Sequence, residues 1–314
     1  MALWAIALLV VTLVTGYFWT RALIAEAERK FPPLGDHVEV DGLRLHYLDR
    51  GQGPPLVLLH GAFGAIHDWQ ATVLPDLEGR FRVIAIDRPG HGYSQRPAES
   101  ADDPRVQARL VRDLVRKLGI EQPLIAGFSW GATTALTWAL EYPDEIGGLV
   151  LVNGAYYPWP GGTSILFWVP AIPGLGPLLA NTVTMPIGTW LAPKSVERAF
   201  LPGQPTLTFR ESSPVALAIR PESYIANAAD MRHLEDFVRE LSPRWPEIEV
   251  PVEVVCGEGD QIAGPDIHSR KLADVLPNSR LTVVPRAGHQ LPYSHPGVVL
   301  EAIDSCQRRI DEAR

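Results

Sequence analysis

Ser129 is the residue whose surroundings most suggest chemistry. It stands in Gly127-Phe128-Ser129-Trp130-Gly131, a Gly-x-Ser-x-Gly pattern. The run from Pro123 to Ala126 is short and apolar, as a buried parallel strand should be. From Trp130 to Glu141 the sequence suits a helix, which Tyr142-Pro143 ends. A serine at such a strand-to-helix corner sits on a tight, strained turn, and its neighbours two residues away must be small. Gly127 and Gly131 meet that demand. The turn lifts the hydroxyl above the sheet and aims backbone N–H groups at the helix start, an arrangement suited to an acyl-transfer nucleophile. The competing reading is a glycine-flanked surface turn, because so short a pattern also arises by chance.

The elements that must hold this corner follow from the rest of the chain. His37 to Val40 and Leu43 to Leu48 flank Asp41-Gly42, a hairpin signal. Leu56 to Leu59 is a buried strand running into His60-Gly61-Ala62-Phe63-Gly64, followed by a helix-like stretch from Trp69 to Leu77. Arg82 to Ile86 is a strand ending in Asp87-Arg88-Pro89-Gly90-His91-Gly92-Tyr93-Ser94. Val106 to Leu118 is amphipathic and helical, with Gly119 as its stop. Further strands are expected at Leu149 to Val152, Val252 to Val255 and Leu281 to Val284, with helices at Ile267 to Leu276 and Val298 to Ile310. Strands alternating with helices imply an α/β fold: a doubly wound, mostly parallel eight-stranded sheet flanked by helices. Gly154 to about Ser242 breaks the rhythm. It is dense in Pro, Gly and large apolar residues, with helices expected at Ser195 to Phe200, Ser213 to Ala218 and Tyr224 to Leu241.

His60-Gly61, Asp87-Arg88-Pro89-Gly90-His91-Gly92, Gly127-Phe128-Ser129-Trp130-Gly131 and Gly288-His289, in this order, resemble the α/β-hydrolase superfamily. The likeness runs from about His37 to the end. It implies a cap over residues 154–242, inserted after the sixth strand, and a Ser-Asp-His triad in that chain order. Ser129 would be the nucleophile. The Gly-x-x-Asp loop after Val252 to Val255 assigns Asp260 as the acid, with Glu258 as a near rival. Asn153 holds the other position where such enzymes keep the acid, and an amide cannot supply the charge. His289 would be the base. The resemblance also implies an oxyanion hole from the N–H of Trp130 and of Ala62, with Phe63 the close alternative. Gly61 and Gly64 serving only to permit a tight loop is the plainer reading. His60 and the Asp87 to Ser94 motif are expected to shape loops. Ser94 lacks a glycine two residues after it and is discounted as a nucleophile.

Ala2 to Trp19 is uncharged and almost wholly apolar. As a helix it would span about 27 Å, close to the hydrocarbon thickness. Trp4, Tyr17, Phe18 and Trp19 suit the interfaces, and Arg21 follows. The expectation is a single membrane anchor over residues 1–20, a linker over 21–36 that includes stiff Phe31-Pro32-Pro33-Leu34-Gly35, and core segments over 37–153 and 243–314. The rival is a cleaved signal peptide. Ala25-Glu26-Ala27 fits a cleavage site, but no Lys or Arg precedes the apolar run. The side of the membrane stays open: the trailing Arg21, Arg29 and Lys30 favour a cytoplasmic body, and a signal-anchor would place it outside.

The formal net charge of −8 argues against nucleic acid as a partner. Cys256 and Cys306 set no disulfide framework. The scattered histidines show no metal-ligand spacing, and neither metal nor organic cofactor is implied. The expected activity is hydrolysis of carboxylic esters of apolar or lipid-like substrates through an acyl-enzyme. Serine at 129 argues against haloalkane dehalogenases and epoxide hydrolases, whose relatives carry aspartate there. Thioester, lactone or carbon–carbon bond hydrolysis and peracid formation use the same triad. A membrane-tethered binding protein or a structural protein of the lipid surface are the non-catalytic readings.

Overall fold

The computed structural model describes residues 1–313; Arg314, the last residue of the expected second core segment, lies outside them. Eight strands form one sheet: β1 (Asp36–Val40), β2 (Leu43–Arg50), β3 (Pro55–Leu59), β4 (Arg82–Ile86), β5 (Leu124–Phe128), β6 (Gly148–Val152), β7 (Val252–Gly257) and β8 (Ser279–Val284). Their spatial order is β1-β2-β4-β3-β5-β6-β7-β8. The first two pairings are antiparallel and all later ones parallel. Asp41 and Gly42 both take positive φ, 51° and 76°, the backbone a two-residue hairpin turn demands.

Six longer helices are α1 (Ala2–Lys30), α2 (Pro104–Lys117), α3 (Trp130–Glu141), α4 (Met185–Phe200), α5 (Pro221–Leu241) and α6 (Pro296–Ala313). Helices on both faces explain why β5, β6 and β7 are buried at every position and why β5 and β6 read as unbroken apolar runs; the exception in β7, Glu253, is paired with Arg309. The chain leaves β3 toward β4 on one side, and β5 leads on to β6 on the other. The crevice beyond the carboxyl ends of β3 and β5 is therefore the place where the strand order reverses, the usual ligand position in such sheets. His60-Gly61 and Ser129 stand at those two ends.

The structure differs from the sequence reading in several places. Residues 21–30, expected as linker, continue α1. Ala27 and Phe31 are buried there against Met185, Leu217 and Ile219, and this packing holds the helix together past its apolar span. The stretch from Trp69 to Leu77 is two short helices, Ile66–Gln70 and Leu74–Leu77. The helix expected at Ser195 begins ten residues earlier, at Met185, and follows directly on a π turn over Ala180–Thr184. Of the helix expected at Ser213 to Ala218 only Val215–Ala218 forms; a separate helix, Leu207–Ser212, precedes it, and the two are broken at Pro214, which cannot supply the N–H that a continuing helix needs.

The start of α3 lies hard against the end of β3. A Cβ at Gly131 would stand 2.3 Å from the carbonyl oxygen of Leu59 and 2.5 Å from that of His60. Gly131→Ala should therefore destabilise the fold by about 1–3 kcal/mol through backbone displacement. A urea unfolding midpoint equal to wild type would contradict that contact.

Candidate active site

Ser129 follows β5 directly and takes φ 52° and ψ −120°, a strained backbone for a residue with a side chain. Its N–H is donated to the carbonyl of Val152 at 2.8 Å, which ties the corner to β6. Both flanking glycines are sterically required, since a Cβ at Gly127 would meet the carbonyl of Gly131 at 2.4 Å. The hydroxyl lies 3.0 Å from Nε2 of His289, and Nδ1 of His289 lies 2.7 Å from Oδ2 of Asp260. The three residues expected as a triad are thus within mutual hydrogen-bond reach. His289 and Asp260 are buried. The other oxygen of Asp260 accepts the N–H groups of Ile262 and Ala263 at 2.7 and 3.0 Å. A carboxylate so fixed holds the imidazole in the tautomer with its proton on Nδ1, leaving Nε2 to take the serine proton. Glu258, the rival acid, is exposed and accepts the N–H of Arg286 instead.

The loop carrying His289 is held from two sides. Asn153 is fully buried at the end of β6. Its amide donates to the carbonyl of His289 at 2.7 Å, and its oxygen accepts the N–H of Gly257 at 2.9 Å. Asn153 is therefore a positioning residue that binds β7 to the histidine loop. On the other side, the N–H of His289 is donated to the carbonyl of Ala199, near the end of α4. Gly288 is needed for this approach, because a Cβ there would stand 2.3 Å from the carbonyl of Leu201.

Of the expected oxyanion donors, Trp130 opens α3, where the first N–H has no intrahelical acceptor. Ala62 sits in the loop after β3, and its N–H has no acceptor among the described residues. Phe63 is corrected: its N–H is donated to Oδ1 of Asn227 on α5 at 2.7 Å, so it is not free for an oxyanion. That contact also pins the loop, whose Phe63 takes φ 56°.

Beneath the loop lies a buried polar network. Arg88 is fully buried; its guanidinium donates to the carbonyls of His60 and Gly61, to Gln107 and to Asp230 of α5, and lies 4.5 Å over the Trp130 ring. Burial pulls the Arg88 guanidinium down to about 10, and it remains a cation at neutral pH. Burial, then the neighbouring Arg88 charge, push His60 down to about 3. The neutral ring donates from Nδ1 to the Gly61 carbonyl and accepts the N–H of Arg88 on Nε2. Asp87 accepts from His46 at 2.6 Å and from the N–H groups of Ile66 and Tyr93. Burial opposes its charge, yet the His46 hydrogen bond and charge hold its carboxyl below the ordinary value. Asp68 accepts from Tyr293 at 2.7 Å and from the N–H of Ala65 at 2.9 Å, and burial raises its carboxyl to about 6.

Apolar side chains pack around Ser129 and the loop after β3. Phe128 lies against the His289 ring, Phe63 faces Phe167 of the cap, and Trp130 packs with Leu234, Val238, Ala62 and Trp159. Among the described residues no cluster of three or more His, Cys, Asp or Glu has the arrangement of a metal site.

Residues 54–296 match the model of the alpha/beta hydrolase fold family. A 2-hydroxy-6-oxononadienedioate/2-hydroxy-6-oxononatrienedioate hydrolase of Paraburkholderia phymatum is 30% identical, over 81% of this chain and 87% of its own. A 2-hydroxy-6-oxo-6-phenylhexa-2,4-dienoate hydrolase of Burkholderia cepacia is 28% identical, over 82% of this chain and 88% of its own. Among solved structures, an alpha/beta hydrolase fold protein from Burkholderia ambifaria superposes with a TM-score of 0.72, covering 86% of this chain and 97% of that one, at 24% identity.

Two outcomes test the geometry. A fluorophosphonate probe should label Ser129, and Asp260→Asn should slow labelling by up to about ten-thousand-fold, the cost of losing the correct histidine tautomer; equal labelling rates would remove Asp260 from the site. The second concerns pH. A carboxyl raised from 3.8 to about 6 in the fold contributes stability that is complete below about 3.8 and is lost as pH rises through about 6. Measured against Asp68→Asn by denaturant unfolding, wild type should lose relative stability across that window. A flat difference would show that Asp68 keeps its ordinary affinity for protons.

Proposed function

The chain belongs to the α/β-hydrolase fold family, and from that premise we propose that it is a serine hydrolase cleaving a carbon–carbon bond beside a ketone. The observation that carries the serine mechanism is the Ser129, His289 and Asp260 arrangement, with the N–H groups of Trp130 and Ala62 left without an acceptor among the described residues. The bond class is supported by the curated relatives, hydrolases of 2-hydroxy-6-oxo dienoates at 28–30% identity across four-fifths of the chain.

Ser129 Oγ attacks the ketone carbon while His289 Nε2 takes its proton, and Asp260 stabilises the imidazolium. The N–H groups of Ala62 and Trp130 receive the developing oxyanion; losing one such donor costs about 3 kcal/mol of barrier. As the tetrahedral centre collapses, the carbon–carbon bond breaks. The leaving carbon's electron pair is delocalised into its conjugated system, and His289 returns the proton to it. Water, deprotonated by His289, then releases the acyl group as a carboxylic acid. The net change adds one water across the cleaved bond.

A second reading is hydrolysis of a carboxylic ester with an apolar acyl group. One observation favours it: from Ile146 to Pro193, the stretch leading into and forming much of the cap, the sequence contains no Asp, Glu, Lys, Arg or His. A dienoate or dienedioate carries carboxylates that call for a cation, and Arg88 beneath the loop is already paired with Asp230.

One experiment separates the two. Wild type and Ser129→Ala are assayed on a 2-hydroxy-6-oxo-6-aryl dienoate, followed by loss of its chromophore, and on p-nitrophenyl esters from acetate to palmitate. Turnover of the dienoate that the mutant lacks supports the first reading. Turnover confined to esters supports the second, and Phe167→Ser should then shift the preferred chain length. Equal rates in both proteins would remove Ser129 from the chemistry.

A further inference from the structure

We propose that the outer face of the cap, from Ile165 to Trp190, is a bilayer-contact surface that enters the same membrane as α1. The first observation is exposure. Ile165, Leu166, Trp168, Ile172, Ile187 and Trp190 point outward, with Ile165 at 75% and Trp190 at 77% of full exposure. A contiguous apolar face of this kind marks an interaction surface.

The second observation is the character of the helices that carry it. Ile165–Ala171 and Leu175–Leu191 are apolar stretches that meet at 107°. The inner side of the second is apolar or small as well: Gly176, Ala180, Thr182 and Met185 are buried. A helix that is apolar on its outer as well as its inner side belongs either in a core or in lipid; this stretch carries no charge, its polar groups are Asn181 and three threonines, and only its inner side is covered by protein.

The third observation fixes the occupant. The apolar half of α1 is almost wholly exposed and has the length and hydropathy of a membrane span. Gly16, inside that half, lies so close to the cap that a Cβ there would stand 2.4 Å from the carbonyl of Thr182. Gly16 is three residues before Trp19, a rise of about 4–5 Å. If Ala2 to Trp19 lies in a bilayer, Thr182 lies at the depth of its interface, and the exposed apolar residues on the same helices are brought to the membrane with it. Trp19, Trp168 and Trp190 are all exposed, and tryptophan is the side chain that interfaces favour. The charged groups begin immediately beyond it: Arg21 and Arg220 line a cavity with Asn181, and Lys194 follows the apolar run. A second copy of the chain could cover a cap patch, but it would not explain why the helix that carries the patch packs on the apolar half of α1 at Gly16.

The arrangement also links lipid to the site. The single turn Ile165–Phe167 exposes Ile165 and Leu166 outward and turns Phe167 onto Phe63, next to Ala62. An apolar substrate dissolved in the bilayer would meet this turn first.

The test places an environment-sensitive fluorophore on single cysteines introduced into the full chain at Ile165, Leu175, Trp190, Leu9 and, as a control, exposed Glu121. The native Cys256 and Cys306 are buried. The protein is reconstituted in phosphatidylcholine vesicles with and without phosphatidylcholine bearing a spin-label quencher, and iodide is added separately. The proposal expects blue-shifted emission that is lost to the lipid quencher at positions 165, 175, 190 and 9, and loss to iodide only at 121. Quenching by lipid at 9 with iodide quenching at 165, 175 and 190 would overturn the cap surface. Lipid quenching at none of the four would overturn it together with the anchor. Shielding of the cap positions from both quenchers would identify a second copy as the occupant, and would equally overturn it.

Discussion

The structure depends on one strained backbone position. Ser129 holds a left-handed φ at the end of β5, and it can do so only because the residues two before and two after it lack side chains. Without a Cβ at Gly131, α3 starts in contact with the carbonyls that end β3. Without one at Gly127, the turn closes on itself. The same close approach puts the serine hydroxyl and the first N–H of α3 beside the loop that begins at His60. Strain of this kind costs on the order of 1–3 kcal/mol and persists only where the surroundings over-determine it. Here they do: β5 and β6 are buried end to end, and α3 is buried from Trp130 to Leu140.

The second constraint is the coupling between cap and core. Asp230 and Asn227, one turn apart on α5, reach the core together. Asp230 pairs with Arg88, which grips the carbonyls of His60 and Gly61, and Asn227 holds the N–H of Phe63. A buried ion pair gives little net stability over apolar packing, but losing one partner leaves an uncompensated charge. Its use here is register: it fixes the loop carrying Ala62 relative to the start of α3. From the opposite side, the end of α4 accepts the N–H of His289. The cap is thus part of the frame that sets the distances between Ser129, His289 and the N–H groups of Ala62 and Trp130. If its outer face lies in a bilayer, the membrane bears on the same frame.

Much of this was legible in the sequence because it is local. Strands read as short apolar runs, the hairpin as Asp41-Gly42, and the elbow as two glycines around a serine. Asp260 and His289 each follow a strand in a short glycine-containing loop, and so could be named without knowing their distance from Ser129. What could not be read depends on residues far apart. Arg88 and Asp230 are separated by 142 positions, and Phe63 and Asn227 by 164. No pattern in either neighbourhood announces the partner, so the loss of Phe63 as an oxyanion donor could not be foreseen. Asn153 was visible only as a residue of the wrong charge; its two-way contact with Gly257 and His289 appears once β6 and β7 are neighbours. The extension of α1 through Lys30 has the same origin, since Ala27 and Phe31 find their partners in Met185, Leu217 and Ile219.

The central claim is that Ser129 attacks a carbonyl carbon and carries the acyl group between two half-reactions. It is tested most directly by intact-mass and peptide mass spectrometry of enzyme quenched in acid during turnover. The account predicts a population heavier by the acyl fragment, located on the peptide bearing Ser129 and absent in Ser129→Ala. Turnover with no adduct, continuing at the same rate in Ser129→Ala, would contradict it.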